Sequence, residues 1–205
     1  MFIPSHYKRL KRGPQVILPK DIGVIIVYAN INKNSICIDA GTGSGWLAVS
    51  MAKICKEVYS YELKPEFVKI AEHNKRIENL DNLIIHNADI TKKIFEKDVD
   101  VVVLDLPNSE KAVKNAYKAL KDNGYVAGYV LHIEQLRKFF SKLEKYGFKN
   151  IFAAEVIMRD ILIREAGIRP STKGIWHTGY LIFGQKHIAT GKPVQPNPQK
   201  NNDLP

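Results

Sequence analysis

The segment SICIDAGTGSGWLAVS, residues Ser35–Ser50, decides the fold class. Its first six residues are mostly apolar and include two isoleucines, a pattern that predicts a short buried strand. The three glycines that follow predict a turn whose backbone can adopt positive φ angles and approach a ligand closely. The next residues, Gly45–Cys55, predict a helix. A strand, a glycine-rich turn and a helix in this order form the first unit of an α/β fold.

The same alternation of strand and helix continues along the chain. Further strands are predicted over Glu57–Leu63, Asn82–Asp89, Val99–Leu106, Gly124–Leu131, Asn150–Ile163 and His177–Lys186. Helices are predicted over Pro19–Ile31, Pro65–Leu80, Glu110–Lys121 and Glu134–Phe148. This alternation with buried strands predicts a doubly wound, mostly parallel sheet, in which the carboxyl ends of the strands meet at one edge.

The 205 residues are enough for one domain with a sizeable core. We expect a basic N-terminal arm or linker over residues 1–18, a catalytic domain over 19–186, and a disordered tail rich in Pro, Asn, Gln and Lys over 187–205. No apolar run approaches the roughly 20 residues that span a bilayer, and the N-terminus lacks a signal-peptide core, so a cytoplasmic protein is expected. Cys37 and Cys55 lack metal-ligand spacing and are predicted to be buried free thiols, with no metal site.

The chain carries a formal net charge of +10, which favours a polyanionic partner such as nucleic acid. A lysine-rich proteome would give the same overall charge without any such partner. The cations cluster in HYKRLKRGPQ, residues His6–Gln15, and this local density favours a nucleic-acid contact at the N-terminus.

Four carboxylates stand at the carboxyl ends of successive predicted strands: Asp39, Glu62, Asp89 and Asp105. An acidic residue before the glycines would repel a pyrophosphate, and the G-x-G-x-G spacing differs from the motifs that bind dinucleotides or phosphates. A cationic or zwitterionic ligand suits this rim. S-adenosylmethionine carries a sulfonium and an ammonium and no phosphate, and we predict it as the cofactor.

Two of these carboxylates have predicted cofactor roles. Glu62 lies about 20 residues past the glycine turn, where a carboxylate accepts hydrogen bonds from both ribose hydroxyls. Asp89 follows the next strand, where it would recognise an adenine amino group; capping the start of a helix is an equally open interpretation.

Asp105 ends the buried run VVVLD, and Leu106, Pro107 and Asn108 follow it. Proline fixes φ and removes a backbone donor, so this turn is held still. A carboxylate at the end of a buried strand is either a helix cap or a group that acts on a ligand.

Five motifs occur in the chain in an order that resembles a known family: RGPQVILPKDIG, DAGTGSG, SYE, LDLPN and WHTGYLIF. They resemble the class I S-adenosylmethionine-dependent tRNA (adenine-N1)-methyltransferases, which modify adenine 58 of the tRNA T loop and, in archaeal members, often adenine 57. The resemblance extends over roughly residues 8–186. The glycine turn is common to all class I methyltransferases, whereas the first and last motifs are more specific.

The resemblance implies a Rossmann-like, mostly parallel seven-stranded sheet with an antiparallel last strand, a homotetramer, and a tRNA T arm as substrate. It implies that Asp105 is the catalytic residue that contacts the target adenine. The expected cofactor contacts are Gln15, Asp39, Gly41, Thr42, Gly43, Ser44, Gly45, Glu62, Asp89 and Asp105. The candidate substrate contacts are Arg12, Leu106, Pro107, Asn108, Arg169, His177 and Thr178.

The sequence departs from the family at two points. Family members usually carry a small β-rich N-terminal domain, and this sequence begins where that domain would end. Many also have Tyr or His at the position of Leu18, where an aromatic ring would stack on the target base; Tyr7 or Trp46 are the alternatives.

Two other functions are compatible with the motifs. A small-molecule methyltransferase of the corrinoid-precursor type, or a protein-repair methyltransferase, would share the cofactor turn but would not need the basic arm or the Asp-Leu-Pro-Asn segment. A non-catalytic tRNA-binding paralogue would have no reason to retain Asp39, the three glycines, Glu62 and Asp105 together.

Overall fold

The computed structural model describes residues 2–13 and 15–187, and within them strands and helices alternate as predicted. The strands are β1 (Ile36–Ala40), β2 (Glu57–Glu62), β3 (Leu83–Asn87), β4 (Val99–Leu104), β5 (Leu120–Val130), β6 (Phe148–Glu155), β7 (Ile161–Arg164), β8 (Gly167–Pro170) and β9 (Tyr180–Lys186). The α-helices are α1 (Pro19–Tyr28), α2 (Trp46–Ala52), α3 (Pro65–Ile77), α4 (Val113–Ala119) and α5 (Ile133–Lys145). Short 3₁₀ turns cover Ser5–Arg9 and Ser109–Lys111.

The main sheet of the described chain has seven strands in the order β3-β2-β1-β4-β5-β9-β6. Strands β1 to β5 pair in parallel, and β9 lies antiparallel between β5 and β6. This confirms the predicted class I methyltransferase fold with its antiparallel last strand. The strand order reverses between β1 and β4, and open α/β sheets bind their ligands in the crevice at such a point.

Both faces of the sheet are covered, which explains the uninterrupted apolar run in β4. Val101 and Val103 point into a core with α1 and α2, whereas Val102 and Leu104 point into a second core with α4 and α5. A parallel strand buried on both faces needs apolar residues at every position rather than at alternate ones.

The N-terminal arm, residues 2–18 apart from Pro14, packs against α2. Tyr7, Leu10 and Ile17 are buried in the same core as this helix. The hydroxyl groups of Tyr7 and Ser50 lie 2.5 Å apart, and the Tyr7 and Trp46 ring centroids are 4.7 Å apart. The boundary proposed at residue 18 stays a prediction, and the predicted tail lies outside the described residues except for His187.

Two predicted elements were wrong in their extent. The helix predicted over Glu110–Lys121 is shorter, because β5 begins at Leu120. The strand predicted over Asn150–Ile163 is interrupted: β6 ends at Glu155, and β7 pairs with β8 in a separate hairpin. Between them, Arg159 Nε and Asp160 O hydrogen-bond the backbone of Ser171, at 3.1 and 2.8 Å, instead of a neighbouring strand.

A buried ion pair links the start of α1 to the segments on either side of the hairpin. The Lys20 ammonium donates to Asp21 Oδ1 at 2.8 Å, to the Val156 carbonyl at 2.6 Å and to Thr178 Oγ1 at 2.7 Å. Thr178 in turn donates to Asp21 Oδ2 at 3.0 Å. Two distant motifs, PKD and HTG, therefore meet in one network that satisfies both charges.

In the described part of the chain the longest helices, α3 and α5, have 13 residues each, and none is long and apolar enough to cross a membrane.

We expect Asp21→Asn to lower the free energy of unfolding by about 3–5 kcal/mol, because it leaves the Lys20 ammonium buried without its counter-charge. The double variant Lys20→Met/Asp21→Leu removes both charges and is expected to be less destabilised than the single variant. Urea denaturation at pH 7 measures both. Equal losses in the two variants would show that the charges make no separate contribution.

Candidate active site

The first turn of the site brings the ends of β1 and β4 into contact. Gly41, Gly43 and Gly45 have φ angles of 88°, 52° and 81°, values that side chains disfavour. A Cβ atom on Gly41 would lie 1.8 Å from the carbonyl oxygen of Asp105, and the Asp105 backbone N–H donates to the Ala40 carbonyl at 2.7 Å. The predicted glycine turn, which we call the glycine loop (Gly41–Gly45), therefore abuts the predicted catalytic residue.

Glu62 is held in a fixed orientation at the edge of the glycine loop. Its Oε2 accepts the Gly43 N–H at 2.8 Å and its Oε1 accepts the Lys64 N–H at 2.9 Å. Each carboxylate oxygen keeps a second lone pair after these bonds. The side chain is thus oriented in advance and can still accept from a pair of ribose hydroxyls.

Asp39 supports the glycine loop from behind. Its Oδ2 accepts the Ser60 hydroxyl at 2.6 Å, and the Ser60 and Thr42 hydroxyls lie 2.6 Å apart. Burial raises the pKa of Asp39 to about 7; the Ser60 bond opposes this effect and the charge of Glu62 adds to it. The role of Ser60 was not predicted from the sequence. The signal for it was a small polar residue in the buried part of β2.

Asp105 is partly exposed, and no described residue donates a hydrogen bond to its carboxylate or pairs with it. Loss of solvation, with smaller contributions from the charges of Asp39 and Glu62, raises its pKa to about 8. It caps no helix: Ser109 Oγ donates to the Leu106 carbonyl at 2.5 Å, and neither helical segment that follows has a side-chain cap. Of the two interpretations of this residue, the structure favours a group that acts on a ligand.

The turn after Asp105 holds three of the candidate substrate contacts. Leu106 is half-buried, and Pro107 and Asn108 are exposed. Gln135 Nε2 in α5 donates to the Pro107 carbonyl at 3.2 Å and so fixes the turn against the helix layer.

Asp89 closes a turn with one carboxylate oxygen. Oδ1 accepts the backbone N–H and the hydroxyl of Thr91 at 2.9 and 2.7 Å, and these bonds, the hydroxyl first, lower its pKa. The Lys92 backbone N–H also lowers the pKa of this carboxyl. Of the two predicted roles, the helix cap is replaced by a turn, and recognition of an adenine amino group stays a prediction.

Two buried polar atoms beside the glycine loop have no hydrogen-bond partner among the described residues: Ser44 Oγ and Trp46 Nε1. Buried polar groups are nearly always paired, so an orphaned hydroxyl within a ligand-binding loop indicates an additional polar partner. The Gln15 carbonyl approaches Gly43 from the arm. Together with the acidic rim, this donor and acceptor set fits a polar cation such as S-adenosylmethionine.

The candidate base-stacking rings are covered. Tyr7 and Trp46 are buried against each other, and Leu18 is buried as well. Arg12 lies over the Trp46 ring, with its guanidinium carbon 5.9 Å from the ring centroid. None of the three buried side chains is open to a base in this conformation.

Thr178 is linked to the candidate site by Tyr129, a residue that the sequence patterns did not single out. The Tyr129 hydroxyl donates to the Thr178 carbonyl at 2.6 Å, and a Cβ on Gly179 would lie 2.6 Å from the Tyr129 ring. Burial raises the pKa of Tyr129, and the nearby charges of Asp21 and Asp105 raise it further. A tyrosine within an otherwise apolar stretch of β5 was the signal for it.

His177 and Arg169 contact protein groups. His177 Nδ1 lies 2.5 Å from Glu155 Oε1, and Nε2 lies 3.1 Å from the Leu131 carbonyl. A carbonyl and a carboxylate both accept hydrogen bonds, so the doubly protonated ring is favoured and its pKa is raised, mainly by Glu155. Arg169 is exposed on the β7–β8 hairpin, outside the main sheet, where Nη1 donates to the Pro170 carbonyl at 3.4 Å.

Among residues 2–13 and 15–187, no group of three or more His, Cys, Asp or Glu side chains is arranged to hold a metal ion. The two cysteines are free and buried, with their sulfur atoms 3.3 Å apart.

The raised pKa values predict that S-adenosylmethionine binds more tightly as the pH rises from 6 to 9. Asp39 and Asp105, with pKa values of about 7 and about 8, are largely protonated at pH 6, and only their ionised forms attract a sulfonium. We expect Kd to fall by at most about tenfold per pH unit near pH 8, and Asp105→Asn to remove the part of the change centred there. Calorimetric titrations measure this.

S-adenosylhomocysteine, whose sulfur is uncharged, is the control ligand, and its Kd should change less over the same pH range. The same pH dependence for both ligands would contradict a direct effect of these carboxylates on the sulfonium.

Comparison with known proteins identifies the family. The sequence matches the family described as tRNA methyltransferase complex GCD14 subunit over residues 7–177. It is 40% identical to tRNA (adenine(57)-N(1)/adenine(58)-N(1))-methyltransferase TrmI of Methanocaldococcus jannaschii over 208 aligned positions, which cover 87% of this chain and 74% of that protein.

Two solved structures share the fold. The tRNA (m1A58) methyltransferase TrmI from Aquifex aeolicus has a TM-score of 0.83 at 26% identity and covers 89% of this chain and 76% of its own. A SAM-dependent O-methyltransferase from Thermotoga maritima has a TM-score of 0.86 at 29% identity, with coverages of 92% and 74%. These similarities confirm the predicted fold, cofactor and family. The chain belongs to the GCD14 family of tRNA methyltransferases, which use S-adenosylmethionine as methyl donor.

Proposed function

We propose that the protein transfers a methyl group from S-adenosylmethionine to N1 of an adenine in the tRNA T loop, at position 58, 57 or both. The observation that carries this proposal is Asp105 at the point where the strand order reverses: its backbone carbonyl contacts Gly41 of the glycine loop, and no described residue pairs with its carboxylate. The archaeal relative named for adenines 57 and 58 supports the choice of base.

The chemistry assigns Asp105 a direct role. Adenine N1 is a weak, neutral nucleophile, and its methylation leaves the ring positively charged. A carboxylate that accepts a hydrogen bond from the N6 amino group raises electron density at N1 and stabilises the developing charge. The same bond orients the base edge, and orientation contributes strongly to the rate of a two-substrate reaction. S-adenosylmethionine supplies, when bound, an electrophilic methyl group on its sulfonium.

The raised pKa of Asp105 suits this role. In the free protein the carboxyl is largely neutral at pH 7, because its pKa is about 8. A cation held next to it favours the ionised form. The carboxylate is therefore available for the amino group when the cofactor site is filled, and its negative charge is balanced by the sulfonium.

The target adenine is stacked within the T loop, so it must be drawn out before reaction. The fixed turn Leu106–Asn108 follows Asp105 directly, and Tyr129, whose pKa is raised by burial and in part by the charge of Asp105, donates to the Thr178 carbonyl. These two segments form the proposed base pocket. Lys8, Lys11 and Arg12 are exposed on the arm and are the proposed phosphate contacts. Arg9 is partly engaged, because its guanidinium pairs with Glu78 at 3.1 Å.

We also propose that the chain assembles as a homotetramer in the cytoplasm, where tRNA is modified. The hairpin exposes Ile161, Ile163 and Ile168, the last two at 79% and 69%. Next to the edge strand β6, an apolar groove of about 330 Å³ is lined by Phe140 and Phe152, among others. Exposed apolar surfaces of this kind mark sites of association.

We further propose the domain division expected from the sequence: residues 1–18 form the arm, residues 19–186 the catalytic domain and residues 187–205 the tail.

The functional test uses purified protein, labelled S-adenosylmethionine and an unmodified tRNA transcript. We expect N1-methyladenosine in the T loop, located by mass spectrometry of ribonuclease fragments. Asp105→Ala is expected to lower kcat by about 10²–10³-fold, while the Kd for the cofactor changes far less. Asp122→Ala, at an exposed position near the start of β5, is the matched control and should retain wild-type activity.

Two outcomes would contradict the proposal. Label in a corrinoid precursor or a protein, with none in tRNA, would identify a different methyltransferase. Tight tRNA binding without turnover would identify a non-catalytic paralogue.

The assembly is tested by light scattering after size-exclusion chromatography. The wild-type mass should be four times that of the chain, and Ile163→Glu/Ile168→Glu should reduce it, because the charges would be buried at the interface. Ile54→Glu, at a partly exposed position after α2, is the control and should leave the mass unchanged. A wild-type monomer would refute the assembly without affecting the proposed reaction.

A further inference from the structure

Asn74 is a fully buried polar residue in the last turn of α3. Its Nδ2 group donates to the Lys11 carbonyl at 2.8 Å and to the Ser44 carbonyl at 2.8 Å. Its Oδ1 accepts the Lys11 backbone N–H at 2.8 Å. One side chain therefore holds the N-terminal arm by two bonds and the glycine loop by a third.

The chemistry of these three bonds requires an asparagine. The group must present two N–H donors to two carbonyls and one acceptor to an N–H, all from one planar unit, and only an amide does so. An aspartate of the same size would face two carbonyl oxygens with a carboxylate oxygen. Both carbonyls lie next to one amide atom and the Lys11 N–H lies next to the other, so the network identifies the first atom as Nδ2 and the second as Oδ1.

The arm lies directly on the loop that Asn74 holds. A Cβ on Gly13 would be 3.4 Å from Ser44 Cβ, and the Gln15 carbonyl lies next to Gly43. Ser44 also carries one of the two orphaned polar atoms of the site. The glycine loop therefore contacts the arm and is also bonded to Asn74. A ligand that orders this loop would affect both contacts.

The same arm carries exposed cations. Lys8, Lys11 and Arg12 point to solvent, within a few residues of the Asn74 bonds. Arg12 extends over Trp46, the first residue of α2 after the glycine loop. The backbone of Lys11 is thus fixed to Asn74, while its ammonium is free to meet a phosphate.

We propose that Asn74 is a positioning residue that couples the basic arm to the cofactor loop, so that S-adenosylmethionine binding orders the arm for RNA and RNA binding tightens the hold on the cofactor. Reciprocity follows from linkage, since each ligand must change the affinity for the other by the same factor. The RNA half of this coupling rests on the proposed function; the cofactor half does not.

The first test needs only the cofactor. Trypsin cleaves after Lys8, Lys11 and Arg12 when the arm detaches, so the cleavage rate reports its opening. We expect saturating S-adenosylmethionine to slow cleavage of the wild type by at least about fivefold, and of Asn74→Asp or Asn74→Ser by less than about twofold. The two variants guard against a folding failure in one of them, and circular dichroism identifies the folded variant.

Asn82 provides a matched control. Its Nδ2 donates to the Ala52 and Cys55 carbonyls at 2.8 and 3.1 Å, and so fixes the opposite end of α2 without touching the arm or the glycine loop. Asn82→Asp and Asn82→Ser remove the same kind of bonds and should destabilise the fold. They are expected to retain the protection of the arm by the cofactor.

The second test measures the coupling to RNA. The Kd for S-adenosylhomocysteine, which has no methyl group to transfer and so leaves the tRNA unmodified, is determined with and without saturating unmodified tRNA, and the ratio is expected to be at least about fivefold in the wild type and below about twofold in the Asn74 variants. Equal protection in the Asn74 and Asn82 variants, or a tRNA-dependent ratio that the Asn74 variants retain, would overturn the inference. Failure of the wild type to methylate tRNA would refute the proposed function, while the trypsin result still decides the role of Asn74.

Discussion

The close approach of β1 and β4 at Gly41 is the constraint on which the rest of the site depends. The Asp105 carbonyl occupies the space that any side chain at residue 41 would need, and the Asp105 N–H is bonded to Ala40. The glycine loop and Asp105 are therefore parts of one backbone junction. The cofactor side and the base side of the site are positioned together because neither strand end can move without the other.

That junction concentrates negative charge where solvent is scarce. Burial raises the pKa values of Asp39 and Asp105, and the charge of Glu62 adds to the effect at both aspartates. In a site of this kind the carboxyl groups tend to stay protonated until a cation arrives and favours their ionised forms. The chain supplies no Lys or Arg partner for Asp105 within its described residues, so the positive charge has to come from the ligand.

Local sequence patterns predicted the fold and the rim, because periodicity, glycines and strand-terminal carboxylates are local signals. The doubly wound, mostly parallel sheet and the placement of Asp39, Glu62, Asp89 and Asp105 near strand ends followed from them, whereas the antiparallel last strand was implied only by the family resemblance. The roles of Ser60, Asn74 and Tyr129 could not be predicted in this way, since each role depends on a contact with a distant segment of the chain. The prediction of one continuous strand through Glu155 was wrong for the same reason. β7 pairs with β8 in a separate hairpin, and β6 pairs with β9 in the main sheet.

The three hydrogen bonds donated by the Lys20 ammonium have a consequence for chemical labelling. Its ammonium is enclosed by a carboxylate, a carbonyl and a hydroxyl, whereas the arm lysines stand in solvent. An amine-directed reagent has to reach the amine nitrogen, and at Lys20 that nitrogen is buried and already bonded to three acceptors. Acylation or cross-linking of the native protein would thus mark Lys8 and Lys11 and spare Lys20, and the arm can be mapped against a bound macromolecule without disturbing the network that anchors α1.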